Sequence, residues 1–280
     1  MTRREKVADW AQKLVRRRPL VAVVPLVGAI GVGGRLHHGL TLAGLEPRLD
    51  QAFALKGLKA VALAINSPGG APVQSMLIAA RIRALAAEKK LPVIAFCEDV
   101  AASGGYILAL AGDEIIAHPS SLVGSIGVVS AGFGFPGLLE KLGVERRVHA
   151  AGDRKAMLDP FQPEKKADVA RLEAIQKMLH DQFKALVVER RGEKLPRAKK
   201  PLFSGDVWLG EKALDLGLVD GLGDLRTVMR ARFGDKTRFK VLGGERNWLR
   251  RRLGLAGGGG LAAGLIGDAE ERALWARFGL

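Results

Sequence analysis

Three short apolar runs constrain the fold of this 280-residue chain more than any other feature, because each ends in turn-forming residues and leads towards a helical pattern. The runs are Val21–Val27, Ala60–Ile65 and Pro92–Cys97, and such continuous apolar character is typical of strands buried on both faces. Helical patterns follow the second and third runs, at Pro72–Ala87 and from Ser103 through Ala111. The alternation predicts an α/β fold with a mainly parallel sheet.

The rest of the chain continues this pattern and divides into three parts. We predict a short basic N-terminal helix in residues 1–18, one large domain over residues 19–243, and a glycine-rich C-terminal extension over residues 244–280. The remaining predicted helices are Glu46–Leu55, Pro136–Leu142, the long Glu164–Arg190, Glu211–Leu216 and Leu225–Phe233, and the remaining predicted strands are Glu114–Ala117, Ile126–Ser130 and Arg147–Ala150.

Basic residues give the chain a formal net charge of +15, and the excess lies in four segments. Residues 1–18 and 226–240 each carry +5, residues 189–200 carry +4 and residues 241–252 carry +3. The middle of the chain is nearly neutral, which argues against a nucleic-acid-binding core. We therefore expect no nucleic-acid partner. The basic segments could meet an anionic membrane surface, an acidic partner or only water.

Cysteine content and hydropathy exclude several classes of protein. The single cysteine, Cys97, excludes an intrachain disulfide and a cysteine-rich zinc site, and it fits a reducing compartment. No run provides the roughly 20 apolar residues of a transmembrane helix, since Leu20–Gly34 is interrupted by proline and glycine and Leu253–Gly267 contains four consecutive glycines. Residues 2–18 lack the apolar core of a secretory signal.

Two glycine-containing turns follow the second and third apolar runs and are candidate parts of an active site. The first, Asn66–Gly70, ends in two glycines that let the backbone approach a ligand closely, although by itself it is more typical of an ordinary strand-to-helix turn. In the second, Ala101–Tyr106, Ser103 lies among small residues where a helix begins, so its hydroxyl is accessible and nearby N–H groups favour negative charge. Such a serine suits acyl transfer through an oxyanion, although serine is also a common N-cap.

A nucleophilic serine needs a base, and spacing alone does not identify one. None of the histidines has a context typical of a catalytic base; they are His37, His38, His118, His149 and His180. A desolvated, neutral lysine is the other common base. Lys155 is a candidate because it lies in the loop that enters the longest predicted helix, although it could also be an ordinary solvated lysine.

Together these elements resemble the bacterial signal peptide peptidase A family, serine–lysine endopeptidases similar in fold to the Clp protease subunit and the crotonases. The resemblance covers about residues 20–233. It rests on motifs in the family's order: Asn66–Gly70, Ala102–Tyr106, Gly124–Val129, Lys155 before Pro160-Phe161, and a tail of Phe203–Gly205, Ala213 and Gly217–Asp220. It implies a Clp protease/crotonase-like α/β fold with a repeated β-β-α spiral core, a long helix and a C-terminal helical extension.

The resemblance implies the reaction and its central residues. Ser103 aligns with the family nucleophile and Lys155 with the general base, and the N–H groups of Gly70 and Gly104 align with the oxyanion hole. The implied reaction is hydrolysis of peptides, or of unfolded or signal-peptide segments, through an acyl-enzyme, without a metal or a cofactor.

Further aligned residues concern the lysine and the substrate. Ser125 aligns with a serine that holds the lysine amine, although its hydroxyl could instead bond to backbone. The predicted strand Ile126, Gly127, Val128 and Val129 would line the cleft and pair with an extended peptide.

The resemblance also implies a homo-oligomeric ring in which serine and lysine can come from neighbouring subunits. Family members usually carry an N-terminal apolar anchor, which this sequence does not show. We therefore expect a cytoplasmic protein, with peripheral contact at the inner membrane left open.

Two other functions stay open from the sequence. One is a crotonase-like acyl-CoA enzyme, for which Glu98 and Asp99 would be the candidate carboxylates. The other is a non-catalytic member that binds peptides in its cleft.

Overall fold

The computed structural model describes residues 18–31, 39–152, 154–196, 200–243, 269 and 271–279. The predicted basic helix and most of the glycine-rich extension lie outside the described residues. Within the extension, residues 271–276 are helical. No helix in the described part of the chain is both long and apolar enough to cross a membrane.

One twisted sheet of eight strands forms the centre of the molecule. The strands are β1 (Leu20–Val27), β2 (Leu58–Ser67), β3 (Val93–Ala102), β4 (Glu114–Ala117), β5 (Leu122–Gly124), β6 (Val207–Leu209), β7 (Gly221–Leu222) and β8 (Arg238–Val241). Their order is β6-β5-β3-β2-β1-β8, while β4 pairs with β3 and β7. Every pair is parallel except β5 with β6. The predicted mainly parallel α/β fold is confirmed.

Seven α-helices connect the strands, and local sequence sets several of their ends. They are α1 (Leu42–Phe53), α2 (Pro72–Lys89), α3 (Gly104–Ala109), α4 (Pro136–Lys141), α5 (Lys166–Arg191), α6 (Gly210–Asp215) and α7 (Leu225–Phe233). Helix α1 begins where the Thr41 hydroxyl accepts the Gly44 N–H, and α7 begins where the Asp224 carboxylate accepts the Thr227 N–H. Proline opens α2, where its missing N–H is not needed.

The apolar strands are buried on both faces because helices cover both sides of the sheet. In β1, Ala22, Val24 and Leu26 face the larger core, which also contains residues of α1, α2, α3 and α5. Val21 and Val23 face a smaller core under α7, around Met229. This two-sided burial is the physical reason for the continuous apolar runs in the sequence.

Two predicted strands are wrong. The chain does not form a strand at Ile126–Ser130; the strand in this region is β5, which ends where Gly124 and Ser125 take φ angles of +115° and +51°. Positive φ at two successive residues ends the extended backbone that a strand needs. Residues Arg147–Ala150 are exposed and irregular, and no described strand pairs with them.

Candidate active site

Ser103 lies at the junction between β3 and α3, in a strained backbone conformation. Its φ and ψ are +53° and −119°, which is unusual for a residue with a side chain. The strain is held by hydrogen bonds on both sides, since its N–H donates to the Gly124 carbonyl at 2.8 Å and its carbonyl accepts the Tyr106 N–H at 2.9 Å. The Ser103 hydroxyl makes no capping hydrogen bond to α3. The N-cap alternative therefore does not explain the serine, and its hydroxyl stays available for chemistry.

Close packing around Ser103 explains the glycines of both turns. A Cβ at Gly69, where φ is +101°, would lie 2.8 Å from the Ser103 Cβ. At Gly70 a Cβ would collide with the Ile30 carbonyl, and at Gly104 it would collide with the Ser75 hydroxyl. Glycine is thus required for the two turns to meet.

The peptide N–H groups of Gly70 and Gly104 donate no hydrogen bond to a residue that the structure describes. Ile30 and Gly70 form a short parallel β-bridge, in which the Ile30 N–H donates to the Gly69 carbonyl and the Ala71 N–H donates to the Ile30 carbonyl. Since successive peptide groups alternate in direction along an extended chain, the Gly70 N–H points away from Ile30. The Gly104 N–H belongs to the first turn of α3, whose N–H groups have no partner within the helix.

An apolar cavity of about 360 Å³ opens beside Ser103. It is bordered by Gly70 and Gly104, by residues of α2 and α5, and by the segment after β5; these include Val73, Met76, Leu77, Gly127, Val128, Leu179, Gln182 and Phe183. The cavity therefore brings the serine, both candidate oxyanion N–H groups and an apolar side-chain pocket together.

Only two of the four predicted substrate-binding residues in the segment after β5 line this cavity. Gly127 and Val128 line the cavity, whereas the Ile126 side chain is buried in the core and Val129 is exposed. Ser125 is buried next to Gly124, and its N–H donates to the Asp206 carbonyl at 2.7 Å. The segment is irregular in this structure.

Lys155 does not line the cavity beside Ser103. It is exposed in a turn, where its N–H donates to the Gly152 carbonyl at 3.0 Å, and it lines a separate shallow depression with Ala151, Gly152 and Arg154. The structure therefore brings Ser103 together with Gly70 and Gly104 but not with Lys155.

The segment that carries Lys155, residues 129–161, is here called the arm. Its two ends are tied by the Phe135 N–H to the Pro160 carbonyl at 2.6 Å and by the rings of Phe135 and Phe161, 5.4 Å apart. No residue of its helix α4 is buried. Large apolar side chains along it are exposed instead, including Val129, Phe133, Leu138, Leu142 and Val144.

Sequence reasoning did not identify a role for His180, which contacts the segment after β5. Its Nε2 lies 3.1 Å from the Ile126 carbonyl oxygen, and its neighbours Leu179, Gln182 and Phe183 on α5 line the cavity. No local signal marks this contact, because His180 and Ile126 are 54 residues apart in the chain.

A buried ion pair holds the C-terminal end of α5. Arg191 donates to both carboxylate oxygens of Asp220, at 2.8 and 2.9 Å, and its Nε donates to the Gly217 carbonyl. Partial burial opposes ionisation of Asp220, but hydrogen bonds from Arg191 and Lys194 prevail and lower its pKa to about 2. The helix that forms one wall of the cavity is thus fixed to the β7 side of the sheet.

Three other ionisable groups of β3, those of Cys97, Glu98 and Asp99, lie outside the Ser103 cavity. Glu98 and Asp99 are exposed at an irregularity between β2 and β3, and neither lines the Ser103 cavity. The Asn66 side chain donates to Asp99 at 2.6 Å. Burial raises the pKa of the Cys97 thiol to about 12, which keeps this thiol protonated and unreactive. Nothing in this geometry favours the acyl-CoA alternative.

Comparison with known proteins decides the family. The family described as Peptidase family S49 matches residues 85–235, which is more than half of the chain. The chain belongs to peptidase family S49.

Curated S49-like relatives include proteins named as proteases. The chloroplastic serine protease SPPA of Arabidopsis thaliana is 32% identical over 224 residues, covering 78% of this chain and 33% of the relative. Protease 4 of Salmonella typhi is 34% identical over 178 residues, covering 60% of this chain and 26% of the relative. These names support the signal peptide peptidase A-like resemblance.

A more similar relative has a different kind of name. A Brucella abortus protein named Na(+)/H(+) antiporter NhaA is 54% identical over 272 residues, which is 93% of this chain. The chain spans only 37% of that relative's length.

A solved structure supports the fold. A membrane-bound stomatin-specific protease, a variant in complex with a substrate peptide, matches 91% of this chain and 99% of its own, with a TM-score of 0.51 and 14% identity. At that identity the likeness concerns the fold, and it confirms the protease-like α/β architecture of this S49 member.

Proposed function

We propose that this S49 member is a serine endopeptidase in which Ser103 is the nucleophile and Lys155 the general base. The observation that carries the proposal is the strained Ser103, whose free hydroxyl borders a cavity shared with Gly70 and Gly104. Strain of this kind persists only where surrounding structure enforces it, and it is concentrated at functional sites.

The proposed reaction proceeds through an acyl-enzyme. The neutral Lys155 amine takes the proton of the Ser103 hydroxyl as Oγ bonds to the peptide carbonyl carbon. The N–H groups of Gly70 and Gly104 stabilise the resulting oxyanion. Lys155 then gives its proton to the leaving amine as the peptide bond breaks. A water molecule attacks the ester, again with Lys155 as base, and releases the acid product and the serine. The buried Ser125 would hold the lysine amine.

We further propose that Lys155 reaches Ser103 from a second copy of the chain in a homo-oligomeric ring. Two observations support this arrangement: Lys155 is not at the cavity of its own protomer, and its arm exposes a row of large apolar side chains. Such a row favours burial against another protein surface. A head-to-tail contact between arm and cavity generates a ring when its rotation closes.

The pocket chemistry favours peptides with apolar or small side chains near the cut. Met76, Leu77 and Phe183 border the cavity, and no acidic or basic side chain is among its lining residues. Because burying an unpaired charge there would be costly, charged side chains should be rejected. We also propose a peripheral, cytoplasmic position, from which peptides at a membrane surface would be accessible to the cavity.

The test of the dyad is hydrolysis of a peptide library by wild type, Ser103→Ala and Lys155→Ala, with cut sites determined by mass spectrometry. We expect both variants to lose hydrolysis while keeping the wild-type thermal unfolding temperature. Ser130→Ala and Lys165→Ala, exposed residues of the same types, are the matched controls and should cleave normally. Wild-type rates in either dyad variant would overturn the assignment.

Mixing the two inactive variants tests whether the dyad is shared. In a ring assembled at random from equal amounts of both, about a quarter of the sites would combine the serine of one variant with the lysine of the other. We expect that fraction of wild-type activity to return after joint unfolding and refolding. Recovery of no activity, from rings that assemble normally, would assign the lysine to its own protomer.

A further inference from the structure

The described residues of three basic segments, which are residue 18, residues 226–240 and residues 241–243, adjoin one edge of the sheet. Strand β8 is the edge strand beyond β1, where the Arg238 N–H donates to the Pro19 carbonyl and the Leu242 N–H donates to the Val23 carbonyl, both at 2.8 Å. Residue 18 therefore lies beside the start of β8, and residues 242 and 243 follow its end. Residues 226–240 contain most of α7 and β8 themselves. These residues carry +5.

The described side chains of this edge present positive charge on both faces of β8. On one face, the guanidinium carbons of Arg226 and Arg230 lie 5.1 and 6.0 Å from the centroid of the Phe239 ring. Arg238 and Lys240 are exposed and point to the opposite face, because side chains alternate along a strand. None of these four basic side chains forms an ion pair with a residue that the structure describes.

The fourth basic segment differs because its three basic residues with described side chains are used inside the fold. Arg190 donates to the carbonyls of Leu110 and Gly112, and Arg191 and Lys194 both bind Asp220. Not every basic residue of α7 lacks an ion pair, since Arg232 forms one with Glu114 at 2.6 Å. Arg226, Arg230, Arg238 and Lys240 therefore form a cluster of basic side chains without described ion pairs at the edge formed by α7 and β8, here called the basic edge.

We propose that the basic edge binds the anionic headgroups of a lipid bilayer. Arginine and lysine on both sides of an exposed strand can reach separate phosphates, and each basic residue near an anionic surface adds to binding. Nucleic acid fits less well, because Phe233 and Phe239 are both partly buried in the smaller core and the two arginines lie over the Phe239 ring, which leaves little aromatic surface for base stacking.

The position of the basic edge is compatible with catalysis at a membrane. Three strand spacings, about 14 Å, separate β8 from β3, whose carboxyl end carries Ser103. Contact at the basic edge would thus hold the protein on the bilayer without covering the cavity. The inference rests on charge and topology, so it does not depend on the proposed hydrolysis, and Ser103→Ala protein should bind membranes as wild type does.

The experiment is vesicle co-sedimentation of the full chain, with vesicles of pure phosphatidylcholine and of phosphatidylcholine mixed with phosphatidylglycerol. We expect binding only to the mixed vesicles, and weaker binding at high salt. Arg226→Gln/Arg230→Gln should lower the partition coefficient by about 25-fold, at about fivefold for each residue. Arg238→Gln/Lys240→Gln should act similarly.

A matched control and an independent variant make the outcome decisive. Lys89→Gln/Lys90→Gln removes two charges at the end of α2, which covers the other face of the sheet, and should stay within twofold of wild type. If the α7 variant fails to fold, Arg238→Gln/Lys240→Gln decides, because these two side chains are exposed and point away from the face that carries Phe239. Equal binding to both vesicle types, wild-type binding by the folded edge variants, or displacement of the protein from vesicles by a short DNA duplex at equal phosphate concentration would each overturn the proposal.

Discussion

Replacing Asp220 by asparagine should destabilise this protein strongly, although Asp220 lies outside the active site. Its carboxylate accepts hydrogen bonds from Arg191 at 2.8 and 2.9 Å, from Lys194 at 2.6 Å and from the Ile115 N–H at 2.8 Å. The substitution removes the negative charge and one acceptor while leaving the shape of the side chain nearly unchanged. Arg191, only 4% exposed, would then keep a positive charge without a counter-ion.

The size of the effect follows from which partner is buried. Breaking a buried ion pair by removing one member costs about 3–5 kcal/mol, because the remaining charge is uncompensated. Lys194 can return to water, since its side chain is 53% exposed, and should add less than about 1 kcal/mol. The asparagine oxygen can still accept one hydrogen bond from Arg191. We therefore expect a loss near the lower limit, about 3 kcal/mol in the free energy of unfolding.

The pH dependence of this difference follows from the lowered pKa of Asp220. The folded-state pKa is about 2, against about 3.9 in an unfolded chain, so the unfolded state takes up the proton first as pH falls. The stabilisation by the charged carboxylate is complete above about pH 5 and is lost progressively as pH falls towards 2. A shift of this size corresponds to about 2.5 kcal/mol, so most of the difference between wild type and Asp220→Asn should disappear at low pH.

Urea unfolding at pH 7 and pH 3, followed by circular dichroism, measures both quantities. Asp215→Asn is the matched control, because Asp215 is 69% exposed and lies 3.7 Å from the Lys212 amine; it should change the free energy of unfolding by less than about 0.5 kcal/mol. A loss below 1 kcal/mol for Asp220→Asn at pH 7, or a difference that does not shrink at pH 3, would refute the electrostatic reasoning.

Three other substitutions test contacts around the serine. Gly104→Ala should lower kcat for peptide hydrolysis by about 100-fold, because the added Cβ would collide with the Ser75 hydroxyl and displace the proposed oxyanion N–H. The double variant Gly104→Ala/Ser75→Ala should recover part of this loss, and no recovery would contradict the steric cause. Tyr106→Phe should cost about 1–3 kcal/mol in urea unfolding, because it leaves the buried Leu218 carbonyl without the hydroxyl 2.8 Å away; an unchanged midpoint would count against this. His180→Ala should raise KM several-fold with little change in kcat, whereas His180→Gln should restore KM, since an amide N–H can still reach the carbonyl of the segment after β5; equal effects of both variants would argue against the hydrogen bond.

The sheet and the serine were predictable from the sequence because local patterns determine them. Each continuous apolar run corresponds to a strand buried on both faces, and the turn residues after it mark the carboxyl end of that strand. Ser103 stood out because small residues surround it at a strand-to-helix junction, and the structure shows that those residues allow two turns to touch.

The two wrong strand predictions, Ile126–Ser130 and Arg147–Ala150, lie in segments that contain apolar residues but do not join the sheet. The run Ile126–Ser130 has strand-like composition, but Ser125 adopts positive φ and its N–H bonds to the Asp206 carbonyl, so the chain leaves the sheet. The contact of His180 with Ile126 and that of Arg191 with Asp220 could not be predicted for another reason. The partners are 54 and 29 residues apart in the chain, so no local sequence pattern indicates these contacts.

Lys155 shows how catalytic competence could depend on assembly. Ser103, its strained turn and the candidate oxyanion N–H groups are held by the buried sheet, whereas Lys155 lies on an arm that has exposed apolar side chains and no buried helix residue. If the lysine comes from a second copy, an isolated protomer holds a serine without its base. Hydrolysis would then require the same apolar burial that drives assembly. The proposed separation of nucleophile and base onto a rigid body and an exposed arm would therefore restrict proteolysis to the assembled ring.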